Sequence, residues 1–519
     1  MTTYDDIPYP SHSYSASGPA HTSAIGMLFG MTPAKLETAR VLEIGCASGG
    51  NIIPFAARFP DSICLGIDLS EKQIADADKA AKDLKLQNIS FKAISVLDLE
   101  LEDQKFDFII VHGVYSWVPD DVQKQILKIC GENLDASGIA YVSYNTLPGW
   151  NAVKTVRDMM LYHGQNFDNP KDRVREARNM LQFAHDNISK ETGPYKLSLD
   201  NEIKVLATAD DNYLLHDHLE AHNEPCYFHE FMDKAHENGL GYLGDSGIAS
   251  MYIGNQKEEA AEKLMEISDI IRQEQYVDFL TNRRFRSTLL VHGNVELARN
   301  VTPESAAGLS LVSLYGLKDN IPEKEFKNTS ELDLVSFANP DATVNIKGKY
   351  LCGMFLELLN AAPRALKRDE LIQAVRDRFT DVTKADLETI WDTNILNLIF
   401  RGILRLENSP VQPSVKVGEF PCVFSVSRHQ ALSQTIVPNL RFDSIKLTDG
   451  QRVVIQYVNG ENTLEAIFEN VLAHIQKSEL TINQNGSAVD PKSSGLENIV
   501  REYVNEELKR FAAQSFLVS

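Results

Sequence analysis

The chain has 519 residues, a length that suits about three or four domains at roughly 100–200 residues each. Hydrophobic residues make up 43% of it, which is enough for packed cores. A formal net charge of −21 at pH 7 argues against a nucleic-acid binder, because contacts to phosphate need clustered lysine and arginine. The same charge either steers the chain toward a cationic partner or simply keeps a large protein soluble.

The amino-terminal segment, residues 1–38, begins with MTTYDDIPYPSHSY and becomes helical near residues 24–29. It lacks the basic region and the apolar core that a secretory signal needs. No stretch of the sequence approaches 18 uninterrupted apolar residues, so no membrane insertion is predicted. The six cysteines are scattered without a C-x-x-C pair, which is typical of reduced thiols, and the sequence predicts a cytoplasmic protein.

Strands and helices alternate through residues 39–165. The strands are predicted at RVLEIG, ICLGID, NISFKAISVLDL (a strand with its exit loop), KFDFIIVHG and GIAYVSYN, with helices between them and Ser70 as one helix N-cap. Continuous apolar runs such as FDFIIV suit strands that are buried on both faces. The alternation predicts an α/β fold with a parallel, Rossmann-like sheet built from right-handed crossovers.

The remaining chain divides into three regions by its pattern. Residues 166–325 carry apolar residues at helical spacing and predict a helical middle domain. Residues 326–410 contain three predicted helices followed by the strand-like GILRLE, an order that resembles a winged helix. Because this unit has no basic recognition helix, an interaction role is favoured over DNA binding. After the linker SPVQPS, residues 411–519 are predicted to form a C-terminal domain.

The ends of the predicted strands point to a ligand, because an open parallel sheet binds ligands beyond the carboxyl ends of its strands. The first strand ends in a small-residue turn that is not a P-loop, and Ala47 stands where a dinucleotide fingerprint has its central glycine. Glu43 would repel a pyrophosphate and suits a positive amine. Asp68 is placed to accept hydrogen bonds from ribose hydroxyls, and Asp98 from an adenine amino group. A nucleoside that carries an amino acid fits all three acids, which predicts S-adenosyl-L-methionine as the cofactor.

The same strand ends supply the other residues predicted to contact this cofactor. Small residues let the backbone approach the ligand closely, and the loops after the first four strands surround it. The predicted cofactor-binding residues are Glu43, Gly45, Cys46, Ala47, Gly49, Asn51, Asp68, Leu69, Leu97, Asp98, His112, Gly113 and Val114.

Four segments together resemble the rickettsial-type protein lysine methyltransferases, namely YDDIPYPSHSY, VLEIGCASGGNIIPFAARFP, HGVYSWVPDDV and AYVSYNTLPGW. These are class I methyltransferases with a helical regulatory domain, whose signature residues 213–245 resemble. At residues 439–442 the chain departs from the family, with NLRF in place of an expected Leu-Arg-His run. The resemblance implies methyl transfer to lysine side chains of a protein and a homodimer, and in the rickettsial members the substrates are surface or outer-membrane proteins.

Aromatic side chains near the strand ends are the candidates for the acceptor site. A lysine must lose its proton before it can attack, and burial lowers its pKa, while aromatic faces hold a cationic ammonium. Tyr115, Trp117 and Tyr144 are the candidates for a lysine channel, although Trp117 equally suits a core anchor. His112 either orients the substrate or acts as a base, or it caps a backbone group. The predicted lid residues, which are otherwise surface aromatics, are Tyr9 and Tyr14.

Two alternatives stay open at this level. The segment HDHLEAHNEPCYFH (216–229) has spacings that suit zinc, but Pro225 breaks the helix between its possible ligands, so no metal is predicted. The acceptor could also be a small molecule or a group other than lysine, which should need a closed pocket near Tyr115 and Trp117. A protein acceptor should instead need a long groove shared between domains.

Overall fold

The computed structural model describes residues 11–518, apart from 189–192, 208–210, 212–213, 221, 319–333, 341, 485–486 and 494. Tyr9 therefore lies outside the described residues.

The helices are α1 Pro19–Leu28, α2 Ile52–Arg58, α3 Glu71–Asp83, α4 Asp120–Asn133, α5 Trp150–Gly164, α6 Pro170–Asn187, α7 Gly193–Ala207, α8 Phe228–Glu237, α9 Glu258–Met265, α10 Ile270–Thr281, α11 Pro303–Ala307, α12 Lys349–Ala361, α13 Arg368–Arg378, α14 Lys384–Phe400, α15 Ser425–Gln430, α16 Asp449–Tyr457, α17 Leu464–Gln476 and α18 Leu496–Ala513.

The strands form one central sheet of seven strands and small sheets of two or three strands. They are β1 Arg40–Ile44, β2 Ile63–Asp68, β3 Ile89–Ala93, β4 Phe106–Val111, β5 Leu134–Asn145, β6 Leu240–Asp245, β7 Phe285–His292, β8 Ser310–Ser313, β9 Gly316–Leu317, β10 Leu334–Ala338, β11 Thr343–Lys347, β12 Leu366–Lys367, β13 Leu404–Glu407, β14 Ile436–Pro438, β15 Ser444–Lys446, β16 Asn483–Gln484 and β17 Ser487–Ala488.

The central sheet has seven strands in the order β3-β2-β1-β4-β5-β7-β6. β1 to β5 are parallel to one another, which confirms the predicted Rossmann-like sheet. Ile44 at the end of β1 pairs with Ile67 of β2 and with Val111 of β4, so these three strands end level with one another. The strand order reverses direction at β1, and such a switch point is where open parallel sheets bind ligands.

Two strands of this sheet come from the region that the sequence pattern predicts to be a helical middle domain. β7 runs antiparallel between β5 and β6 and completes the sheet. The predicted boundary at residue 165 therefore does not coincide with the end of the sheet. The helical periodicity of the flanking α8 to α10 dominates this stretch of sequence, and strands of six and eight residues between them carry little pattern of their own.

The winged-helix-like region contains the three predicted helices, α12 to α14, and the closing strand β13. Its small sheet has the order β12-β8-β13, so it takes β8 from before residue 326. The predicted boundary at 326 thus divides this unit, because a strand of four residues is too short to be recognised by periodicity. Among the described residues, no helix combines the length and the apolar character that a membrane crossing requires.

The NLRF run at residues 439–442 is part of the packing between the C-terminal region and the central domain. Leu440 and Phe442 are buried in the same apolar cluster as Phe55 of α2. Between them, the buried Arg441 Nε donates to Glu407 Oε1 at 2.5 Å. The residues that depart from the family pattern therefore have a structural role, since they join the last two regions of the chain to the sheet domain.

Candidate active site

The turn after β1 is shaped by residues with left-handed backbone angles. Gly45 has φ +75°, and a Cβ there would lie 2.3 Å from Val114 Cγ2, so only glycine fits. Ala47 also has a positive φ, and its N–H donates to Asp68 Oδ2 at 2.9 Å. The other Asp68 oxygen accepts from the Ser70 N–H at 2.9 Å. The Asp68 carboxylate is thereby fixed between the turns that follow β1 and β2.

Glu43, at the end of β1 before this turn, has a buried carboxyl group, one oxygen of which is unpartnered within the described part of the chain. Its Oε1 accepts from Asn51 Nδ2 at 2.8 Å, whereas Oε2 has no hydrogen-bond partner among the described atoms. Burial raises the pKa of Glu43 to about 8, the Asn51 hydrogen bond opposes this rise, and the nearby Asp68 carboxylate adds to it. A buried oxygen without a donor is costly, so this position suits a ligand that brings a donor such as an ammonium group.

One cavity of about 460 Å³ lies over the ends of β1, β2 and β4. It is lined by residues that include Gly45, Ala47, Asp68, Leu69, Ser95, Val96, His112, Gly113 and Val114. The predicted Leu97 and Asp98 do not line it. β3 ends at Ala93, and the short helical turn Val96–Asp98 that follows places Ser95 and Val96 at the cavity and leaves Leu97 and Asp98 toward solvent. Gly49 lines neither cavity and packs on Ile53.

A second cavity of about 540 Å³ meets the first at the strand ends. Its walls combine the N-terminal segment, the turn after β1, and residues from α5, α7 and the start of β7. They include Ser11, His12, Tyr14, Glu43, Cys46, Asn51, His112, Gly113, Trp117, Asn145, Trp150, Glu202, His218, Arg284 and Phe285. A Cβ added at Gly113 would meet no described atom within 4 Å, so this glycine leaves open space where the two cavities join.

The N-terminal segment is held over the turn by contacts on both sides. The Gly50 N–H donates to Ser11 Oγ at 2.8 Å, and a Cβ at Gly50 would lie 2.4 Å from the Ser11 carbonyl oxygen. On the other side, Ser13 Oγ donates to the Phe442 carbonyl at 2.9 Å, and Ser444 Oγ donates to the Ser13 carbonyl at 2.7 Å. The segment thus connects the C-terminal region with the turn, and its role as a lid stays a prediction.

His112 lies between Tyr14 and Tyr141. The Tyr14 and His112 rings are 3.8 Å apart between centroids, and the Tyr14 N–H donates to Asn51 Oδ1 at 2.8 Å. Tyr141 Oη donates to Ser287 Oγ and lies 3.0 Å from His112 Nδ1, so the hydrogen-bond pattern places the imidazole proton on Nδ1. Burial lowers the pKa of His112 to about 4, so the ring is neutral at pH 7 with the lone pair on Nε2.

The aromatic residues predicted for the lysine channel are divided by the structure. Trp117 lines both cavities and packs edge-on against Trp150 at 6.1 Å between centroids. Tyr115 and Tyr144 line neither; both are fully buried against Phe231, so their prediction as channel residues is corrected. In the turn Tyr115–Trp117, the side chain of Tyr115 is buried in the core, whereas that of Trp117 lies at the cavities. Successive side chains of a strand point to opposite faces, so Asn145, which follows Tyr144 in β5, lines the cavity instead.

Several cavity residues were not predicted from the sequence, among them Ser11, His12, Asn145, Glu202 and Arg284. Asn145 Nδ2 is buried without a hydrogen-bond partner among the described atoms. Glu202 of α7 is buried and accepts from Arg284 Nη1 at 3.0 Å, across 82 positions of sequence. His218, considered above as a metal ligand, lines the cavity with its pKa lowered by burial to about 4. The described residues contain no group of three or more metal-ligating side chains.

Three family models match different parts of the chain. The model described as "Methyltransferase domain" matches residues 41–138, and "Predicted methyltransferase regulatory domain" matches residues 210–292. The second match includes β6 and β7, so this regulatory unit supplies two strands to the central sheet. "PKMT, C-terminal winged helix domain" matches residues 419–516. That match falls in the C-terminal domain predicted at 411–519 rather than in the winged-helix-like region at 326–410.

The fold, the strand-end site and the methyltransferase model define a class I methyltransferase, for which S-adenosyl-L-methionine is the methyl donor. The chain is 35% identical to the Rickettsia prowazekii protein RP789 over an alignment of 523 positions that covers 99% of this chain and 93% of that protein. It matches the structure of PKMT2 from Rickettsia typhi with a TM-score of 0.90 at 33% identity, covering 98% of this chain and 100% of that one. The same enzyme in complex with AdoHcy also matches with a TM-score of 0.90, at 33% identity over 99% and 100% of the two chains. The chain belongs to the rickettsial-type protein lysine methyltransferase family.

Proposed function

We propose that this chain transfers the methyl group of S-adenosyl-L-methionine to lysine side chains of a protein substrate. The observation that carries the proposal is the second cavity, which is formed by separate parts of the chain and reaches solvent beside the half-exposed Phe285. A protein acceptor needs such a shared, open cleft. The name of the Rickettsia typhi relative supports lysine as the acceptor. A surface protein as substrate, a homodimer and a cytoplasmic location remain predictions from the sequence.

The residues of the first cavity, together with Glu43 of the second, fit the proposed cofactor. Asp68 presents a fixed carboxylate to ribose hydroxyls, and the unsatisfied Glu43 Oε2 suits the amino group of the methionine portion. Ser95 and Val96 would border the adenine side in place of the predicted Leu97 and Asp98. When bound, the cofactor supplies an electrophilic methyl group on a sulfonium, and the chain itself has to position the acceptor.

The second cavity is suited to an uncharged amine. His112 and His218 are neutral at pH 7 because burial lowers their pKa values, and the Glu202 carboxylate is engaged by Arg284. The Glu43 carboxyl, which also lines this cavity, would be paired with the amino group of the cofactor, so burial favours the neutral form of a lysine, which has the lone pair needed for attack. Nε2 of His112 is available to accept the hydrogen of the amine, and Trp117 offers a face for the aliphatic stem.

The protonation state of Glu43 predicts that the affinity for the cofactor depends on pH. Its pKa of about 8 means that this carboxyl is mostly protonated at pH 7 in the free protein. Pairing with an ammonium group favours the carboxylate, so binding should release a proton, and affinity should rise as the pH rises from about 6 to about 8. We expect the calorimetric binding enthalpy of S-adenosyl-L-homocysteine at pH 7 to depend on the ionisation enthalpy of the buffer.

Glu43→Gln provides the control for this linkage. The amide keeps the shape of the side chain but cannot titrate, so the variant should bind more weakly and with no dependence on the buffer. An equal buffer dependence in the variant and the parent protein would assign the proton to another group.

Measuring which fraction receives a labelled methyl group tests whether the acceptor is a protein or a small molecule. The purified chain is incubated with methyl-labelled S-adenosyl-L-methionine and a cell lysate, and the protein and small-molecule fractions are counted separately. We expect label in the protein fraction that survives alkaline treatment, because methyl amines are stable whereas methyl esters hydrolyse. The variant Asp68→Ala lacks the carboxylate that is proposed to bind the ribose hydroxyls, so it should label neither fraction. Label confined to small molecules would instead support the alternative of a small-molecule acceptor.

A further inference from the structure

Helix α10 buries acidic residues and exposes apolar ones. Glu274 and Asp278 are completely buried, whereas Tyr276, Phe279 and Leu280 are 43%, 47% and 57% exposed. These three residues have i, i+3 and i+4 spacing, so they form one outward stripe. The hydrophobic effect favours the opposite arrangement in a surface helix, so packing of the helix does not explain the exposed stripe.

The inward face explains how the helix stays attached without burying that stripe. Arg286 of β7 is fully buried, and its Nε donates to Asp278 Oδ2 at 2.8 Å. Its Nη2 donates to Glu274 Oε2 at 3.0 Å, and its guanidinium lies over the Phe228 ring at 3.8 Å. The helix is therefore fixed to the sheet by charge-assisted hydrogen bonds, which leaves its apolar face available to another molecule.

The exposed stripe continues to the mouth of the second cavity. The Phe279 ring contacts the Tyr227 ring at 5.7 Å, and Tyr227 follows Cys226, whose N–H donates to the Asn145 carbonyl. Asn145 lines the cavity and pairs across the sheet with Phe285, which is 46% exposed and lines the cavity too. We call the surface formed by Tyr227, Tyr276, Phe279, Leu280 and Phe285 the α10 aromatic surface.

We propose that the α10 aromatic surface binds apolar side chains of the polypeptide that flanks the acceptor lysine. This inference rests on the proposed function. Phe285 belongs to both the surface and the cavity, so a chain that places its lysine in the cavity passes over the surface. Aromatic side chains give large contact area with few rotatable bonds and are typical of polypeptide-binding surfaces. The enzyme therefore selects lysines that have apolar neighbours, in an extended segment that lies along this surface.

Two synthetic peptides test this selection. Each contains one lysine, with leucine and phenylalanine two positions to either side in the first and serine at the same positions in the second. We expect kcat/KM for the apolar peptide to be higher by about tenfold or more, given the apolar area that two such side chains bury. The double variant Phe279→Ser with Leu280→Ser should lose this preference through a raised KM, with kcat and the rate on the serine peptide unchanged.

Ile63→Ser is the matched control, because Ile63 is an equally exposed apolar residue at the opposite end of β2 from the site. Equal kcat/KM on the two peptides would overturn the inference while leaving the proposed function intact. Failure to methylate either peptide or any lysate protein, with affinity for S-adenosyl-L-homocysteine retained, would overturn the proposed function and the inference with it. A variant that keeps the peptide preference but changes the oligomeric state in sedimentation would assign the surface to a second copy of the chain.

Discussion

Replacing Asp68 with alanine is expected to weaken binding of S-adenosyl-L-homocysteine by about 100-fold or more. The carboxylate is fixed by the N–H groups of Ala47 and Ser70, so it is presented to the ligand without reorganisation. Hydrogen bonds to a charged group contribute about 1.5–3 kcal/mol each, and two of them to ribose hydroxyls account for the loss. The measurement is isothermal titration calorimetry of the purified variant.

Asp61→Ala is the control for this substitution, because Asp61 is exposed just before the same strand, at its opposite end. It should leave affinity unchanged. Wild-type affinity in Asp68→Ala, with the protein folded, would contradict the placement of the ribose beside β2.

Replacing Arg286 with leucine is expected to destabilise the protein by about 3–5 kcal/mol. The substitution leaves the Glu274 carboxylate buried without its ion-pair partner and leaves Asp278 with Arg283 as its remaining cation, and breaking a buried pair from one side has a cost of this size. Burial already raises the pKa of Glu274 to about 7, and the Arg286 guanidinium opposes that rise. At pH 6 the Glu274 carboxyl is mostly protonated and needs no cation, whereas at pH 8 it is charged in the parent protein. Loss of the arginine should therefore destabilise the protein more at pH 8 than at pH 6.

Denaturant unfolding, followed by circular dichroism, measures this difference. Arg501→Leu serves as the control, since Arg501 pairs with Glu465 on the surface, and such exposed pairs contribute about 0–1 kcal/mol. If both substitutions cost the same, the cluster around Arg286 does not hold α10 to the sheet.

The cofactor half of the site could be predicted from the sequence because its signals are local. β1, its turn and α2 follow one another within twenty residues, and the small residues, Glu43 and Asp68 occupy fixed positions relative to strand ends. Parallel strands then bring these ends together at one edge. The third-strand loop was less predictable, because a short helical turn shifts which of its residues face the cavity, as Ser95 and Val96 show.

The acceptor half depends on contacts between segments that are distant in sequence. Glu202 meets Arg284 across 82 positions, and nothing near either residue in the sequence indicates that they pair. The position of Tyr115 after a strand end predicts that it faces the cavity, but the turn that it begins directs its side chain into the core. Strands β6 and β7 join the sheet after a long helical insertion, so local periodicity could not place them.

Residue-level identification of the product tests most directly whether lysine side chains of a protein receive the methyl group. Lysate proteins are methylated by the purified chain with a deuterated methyl donor, digested, and sequenced by tandem mass spectrometry, with Asp68→Ala as the blank. We predict deuterated methyl groups on lysine Nζ in the wild-type sample alone. Deuterated methyl groups on arginine or carboxylate side chains, or on metabolites only, would contradict it.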